Sequence, residues 1–182
     1  VPFVDQLLSA QAFDLDACAR RLEQDETISD ALRNAELRLV RLCGGSASML
    51  ADDAWETARM PKVDAATCQL ALWQALRLRS AKPDDERALL LEAALRYRRG
   101  EFALAEQRLR RLLEVRKSTR TSPEIQAFLA MTLQRLGRNI EAAAELTKFQ
   151  AAMATPLQLA NFANVELLGE TEAVLGVSRS TR

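Results

Sequence analysis

The chain has no histidine. That absence removes the commonest general base, the commonest metal ligand and any Ser-His or Cys-His relay. Chemistry would fall to carboxylates, lysines or a lone thiol. Cysteines number three, Cys18, Cys43 and Cys68, evenly spaced by 25 residues. An odd, sparse set excludes a disulfide framework, and a zinc site wants ligands only a few residues apart. Reduced thiols packed in a core are expected. Aromatics make up only 5% of the 182 residues, beside 6 Gly and 5 Pro, so the Ala-, Leu- and Arg-rich remainder favours helices over strands. Gly44–Gly45 is an isolated pair without the lysine or third glycine of a phosphate loop. Neither sign of charge prevails: 25 basic groups meet 25 acidic ones, which argues against nucleic acid as a partner. No apolar run approaches the roughly 20 residues that cross a bilayer, and the amino end lacks the layout of a secretory signal. The expectation is a cytoplasmic, non-enzymatic chain with no cofactor, no metal and no membrane insertion. Opening on Val1, it reads as a piece of something longer.

What is present is helical periodicity broken at regular intervals, which predicts about eight helices and no strand. A short weak helix is expected over 4–12, then one over 15–24 capped by Asp14. The next carries Ile28, Leu32, Ala35, Leu39 and Leu42 on one apolar stripe opposite a charged face and stops at Gly44. Helices over 46–60 and from Asp64 to about Leu78 make a degenerate pair. Two clearer pairs follow, 85–99 with 102–117 and 123–136 with 140–153. A polar last helix over 157–175 suits an end-cap. Asp52–Asp53 and Asp84–Asp85 are read as helix-start residues, since neighbours on a helix do not face each other. Trp55 and Trp73 are read as core anchors.

The two clear pairs repeat each other. Gly100 and Gly137, Ala105 and Ala142, Leu109 and Leu146 share a constant offset of 37 residues, the mark of stacked helix-turn-helix units. The alanines permit axes to approach within about 8–10 Å, and the glycines end each first helix in a conformation other residues adopt at a cost of roughly a kcal/mol. The expected architecture is an α-solenoid of antiparallel helix pairs. Residues 1–45 form an N-terminal helical region, and 46–156 hold the repeats (46–83 degenerate, 84–121 and 122–156 clear). A cap over 157–176 and a polar tail over 177–182 complete it.

Leu129, Ala130, Leu133, Gly137, Ala142 and Leu146 resemble the signature of the tetratricopeptide repeat, as do Ala93, Tyr97, Gly100, Phe102, Ala105, Leu109, Leu113 and Val115. The likeness spans about residues 85–154, and 49–83 loosely. Departures are Glu92 and Arg96 in place of Leu and an aromatic, no closing proline at Lys117 or Ala154, and three extra residues in the linker 116–122. A weaker resemblance is to repeat regions at the carboxyl ends of large bacterial kinase or WD-repeat proteins. The family resemblance implies a concave groove lined by the first helix of each pair, here Arg87, Leu90, Leu91, Ala94, Tyr97 and Arg98, then Glu124, Ala127, Phe128, Met131, Gln134 and Arg135. Leu90, Ala94, Ala127 and Met131 replace the cations of the carboxylate-clamp subclass, so chaperone-tail binding is not expected. An apolar floor with arginine rims suits a protein or peptide segment of a partner, making the chain a scaffold or signalling module. The alternatives are a secretion-type chaperone and a regulatory segment for a neighbouring catalytic domain.

One stretch is electrostatically unusual. Residues 96–120 hold nine basic groups against three acidic ones, whereas 1–60 hold eleven acidic groups against six arginines. A solvated outer face and a basic interaction patch are the two readings.

Overall fold

The computed structural model describes residues 6–8, 10–11, 14–116, 122–155, 158 and 160–177. Among these every regular element is an α-helix, so the all-α class holds. Nine helices have defined bounds among the described residues: α1 Leu15–Gln24, α2 Asp30–Leu42, α3 Ala47–Arg59, α4 Ala65–Ala81, α5 Glu86–Arg98, α6 Phe102–Val115, α7 Pro123–Arg135, α8 Asn139–Met153 and α9 Phe162–Leu175. The weak helix expected over 4–12 lies largely outside the described residues, as do most of the linker 116–122 and the tail beyond Val177.

Local chemistry explains the starts. The side chains of Asp14, Ser29, Ser46, Asp64 and Asp85 each accept a hydrogen bond from a backbone N–H of the first turn, satisfying donors that the helix leaves open. Asp85 is thus a cap, but Asp52 and Asp53 lie within α3 and do not cap it, because Ser46 takes that place. At the ends of α5 and α7, Gly100 (φ 76°) and Gly137 (φ 77°) close the same turn. The N–H of Glu101 donates to the Arg96 carbonyl and that of Arg138 to the Leu133 carbonyl, both at 2.9 Å.

Helices α3 and α4, α5 and α6, and α7 and α8 pack as successive pairs. Each first helix also meets the next (α3 with α5, α5 with α7, α7 with α9), and each second helix meets the first helix that follows it. One continuous core runs through these layers, with Ala105, Leu109, Ala142 and Phe149 fully buried. A second, smaller core gathers Leu8, Cys18, Leu22, Val40 and Cys43 around Trp73 of α4, so α1 and α2 lean on α4 through that indole. Ion pairs tie the layers outside: Arg87 of α5 to Asp52 of α3, Arg111 of α6 to Asp84 (3.0 Å), and Arg138 before α8 to Glu106 of α6 (2.5 Å).

Two helices are oriented against expectation. On α2 the buried residues are Glu36, Val40 and Cys43, while Leu32 and Leu42 are 44% and 48% exposed. Val40 and Cys43 join the Trp73 core, and that fixes the rotation. On the last helix the polar Asn164 and Thr171 are buried, while Phe162 is 73% exposed.

Candidate interaction surface

The residues expected to floor a groove are covered by the chain itself. Leu91, Ala94, Tyr97, Ala127, Phe128 and Met131 are all buried, and Leu90 is half-buried. The cover comes from both sides. Trp55 of α3 meets Phe128 of α7 edge-on at 6.4 Å between ring centroids, and Tyr97 meets Phe128 at 5.9 Å. Helix α9 lies over α7, with Leu167 in the same core. Of the expected rims, Arg87 is exposed and pairs with Asp52; Glu124 accepts a hydrogen bond from the Ser122 hydroxyl; Gln134 is half-buried; and Arg135 is exposed.

Arg98 is the surprise. Its side chain is 3% exposed and forms a forked pair with Glu170 of α9, while its Nε donates to the Ala58 carbonyl at 2.7 Å. The guanidinium carbon stands 5.6 Å from the Tyr97 ring centroid and 5.5 Å from that of Phe128. One cation therefore joins α3, α5, α7 and α9, with aromatic faces suited to it. Glu166 of α9 reaches Arg59 at 3.9 Å. Burial pushes the Tyr97 hydroxyl above its usual range, against the pull of the Arg135 guanidinium that hydrogen-bonds it.

What stays open on this face is a cleft of about 480 Å³ between α9 and the turn after α3, walled by Arg59, Pro61, Leu167, Glu170 and Ala173. A smaller hollow of about 210 Å³ shares Pro61 and Glu170 with it and reaches Tyr97, Arg98 and Arg135. Reading the sequence missed Trp55, Arg59, Glu166 and Glu170 as neighbours of the groove positions. A signal for α9 existed: counted back from Gly100, Gly137 and Gly176, the buried sets Ala88/Ile125/Asn164, Leu91/Phe128/Leu167 and Leu95/Thr132/Thr171 coincide. Gly176 also has φ 71°, with the Val177 N–H donating to the Glu172 carbonyl at 2.9 Å.

The basic run of residues 96–116 is largely neutralised from within. Glu92, fully buried where the repeat signature has Leu, is approached by Arg79 (2.7 Å), Arg96 (2.8 Å) and Arg108 (2.9 Å). Arg96 and Arg99 also pair with Glu101, Arg110 with Glu106, and Arg116 with Glu86. Lys117 and Arg120 lie outside the described residues. All three cysteines are buried free thiols, and burial pushes the Cys43 thiol up to about 11. Among the described residues no group of three or more Cys, Asp or Glu is placed to hold a metal ion, and no helix is long and apolar enough to cross a membrane. No protein-family model, curated protein or solved structure matches the chain.

Proposed function

We propose that the chain is a non-enzymatic binding module of the tetratricopeptide-repeat type, holding a segment of a protein partner as part of a larger scaffold or signalling protein. The segment enters the cleft beside α9, not the deep groove expected from the first helices, whose floor is already packed. The observation that carries this reading is the pair of adjoining hollows, where apolar walls (Pro61, Leu167, Ala173) meet the exposed Arg135, while Arg59 and Arg98 are already paired with Glu166 and Glu170. Together they suit two or three apolar side chains flanked by a carboxylate. Support for the repeat type comes from the contact order of the helices, in which first helices meet first helices and each second helix meets the next pair. A region of a cytoplasmic protein is the setting this reading assumes.

The test is site-specific photo-cross-linking. A photoreactive residue replacing Ala173, on the cleft wall, captures a protein partner, and the capture is lost with Arg135→Glu. The same group replacing Gln107, exposed on α6, captures nothing. Equal capture at both positions, or none at Ala173, rejects the cleft.

A further inference from the structure

Helix α9 is a third copy of a first helix, and among the described residues no second helix is packed on it as α6 is on α5. Counted back from Gly100 and Gly137, the residues 11, 8 and 7 places earlier are Leu89, Glu92 and Ala93 on α5, and Gln126, Leu129 and Ala130 on α7. All six are buried, with at most 8% exposure. Helical spacing puts each set on one stripe, and the pairing of Glu92 with Arg108 of α6 at 2.9 Å shows that α6 covers that stripe on α5. On α9 the same places hold Val165, Leu168 and Gly169, and all three are half-buried. The opening is confined to that side, because Asn164, Leu167 and Thr171 are buried as their counterparts are.

The open stripe has a defined chemistry. Phe162, 73% exposed, stands seven residues before Gly169 and so on the same side of the helix. Ala93 and Ala130 are the small residues of the stripe in the first two copies, and Gly169 is smaller still. Glycine inside a helix is less favourable than alanine, and what it permits is the close approach of a crossing helix. Glu172, half-buried, follows Gly169 by three residues and accepts a hydrogen bond from the Gln150 side chain of α8 at 3.2 Å. The other two acidic groups of α9, Glu166 and Glu170, turn to Arg59 and Arg98 on the cleft side, and the helix carries no cation. A neutral helix laid over Glu172 would bury its charge at a cost. On α5 the same need is met by Arg108, which α6 brings to Glu92.

We infer that this side of α9 takes a helix from a partner protein, laid on it as α6 lies on α5, with a small side chain over Gly169 and a lysine or arginine beside Glu172. The form of the cover is given by two examples within the chain, α6 on α5 and α8 on α7. A second copy of α9 does not fit, since it brings three glutamates and no cation. The surface is separate from the cleft, whose wall on α9 includes Ala163, Glu166, Glu170 and Ala173, and filling one does not require filling the other.

The test uses a fluorescein-labelled peptide of residues 101–116, which is α6 with its flanks, titrated with the full chain by fluorescence anisotropy. The peptide should bind saturably. Gly169→Leu, which fills the crossing space, should weaken binding about tenfold or more, and Glu172→Lys, which sets like charges together, should do the same. Ala105→Leu in the peptide should also weaken it about tenfold and leaves the chain itself untouched, so it carries the test should either variant of α9 fold poorly. Ala173→Leu, on the cleft wall, should change nothing. Binding that is absent, that survives Ala105→Leu or either folded α9 variant, or that is lost with Ala173→Leu overturns the inference.

Discussion

Arg98→Ala removes one side chain and touches four helices. It leaves the Glu170 carboxylate without its forked partner, strips the Ala58 carbonyl of its donor, and empties the space between Tyr97 and Phe128. Breaking a buried pair by deleting one member costs about 3–5 kcal/mol, chiefly because the remaining charge stays buried. Glu170 is 14% exposed and borders an open cleft, so water reaches part of it. That places the cost near the lower end, about 3 kcal/mol. At roughly 2–4 °C per kcal/mol for a chain of this size, the midpoint should fall by about 6–12 °C. Calorimetry on wild type, Arg98→Ala, Glu170→Ala and the double variant closes a cycle, and a coupling of about 1–3 kcal/mol is expected between the two sites. A midpoint shift under about 2 °C for Arg98→Ala, or strict additivity in the cycle, would refute the claim that this cation holds α9 on the inner face.

Other positions give sharper local tests. Tyr97→Ala and Met131→Ala should each lower stability by about 2–5 kcal/mol in urea titrations, since both are packed core side chains; a loss under about 0.5 kcal/mol would mean they face solvent after all. Gly137→Ala should cost about 1 kcal/mol through backbone strain alone, because φ is 77° and a methyl group there meets nothing within 4 Å; a neutral result would argue against the left-handed turn. For Cys43 the folded thiol ionises later than the unfolded one, so its contribution is intact below pH 9.0 and is lost as pH climbs toward about 11. Urea melts across that window should fall less steeply with pH for Cys43→Ala than for wild type, and identical slopes would mean this thiol is not held neutral by burial.

Much of the repeat core was legible because glycine and alanine leave strong marks. Gly100 and Gly137 occupy left-handed turns, and Ala105 and Ala142 are buried, as their 37-residue offset suggested. The third copy of the first helix escaped notice because Gly176 follows Gly137 by 39 residues, and because Asn164 and Thr171 look like surface residues. Both side chains are satisfied locally: Asn164 donates to the Gln158 side chain at 2.6 Å and Thr171 to the Leu167 carbonyl at 2.7 Å. Hydrophobic periodicity also cannot say which apolar face meets which neighbour. Of the stripe on and before α2, Ile28 and Leu39 pack on the Trp73 core, whereas Leu32 and Leu42 stay 44% and 48% exposed. The groove positions failed for a related reason. Their place on the first helices puts Tyr97 and Phe128 on a groove, whereas the cover over Phe128 comes from Trp55, more than seventy residues earlier in the chain, and from α9 through Leu167.

Charge burial makes the same point from the other side. An arginine-rich stretch reads from sequence as a solvated face or a basic interaction patch, yet here Glu92 draws three guanidinium groups from α4, α5 and α6 onto one buried carboxylate. Those arginines are 15–31% exposed at the side chain, so water shares the stabilisation of their charges. Replacing Glu92 by the Leu of the repeat signature would therefore fill the site with apolar volume and free three cations at once. Because Arg96 keeps only 15% exposure, deleting the carboxylate should cost about 3 kcal/mol, as for Arg98, and it would turn a neutralised face into a basic one. A urea titration of Glu92→Leu that shows no loss would mean the three guanidinium groups swing out to water.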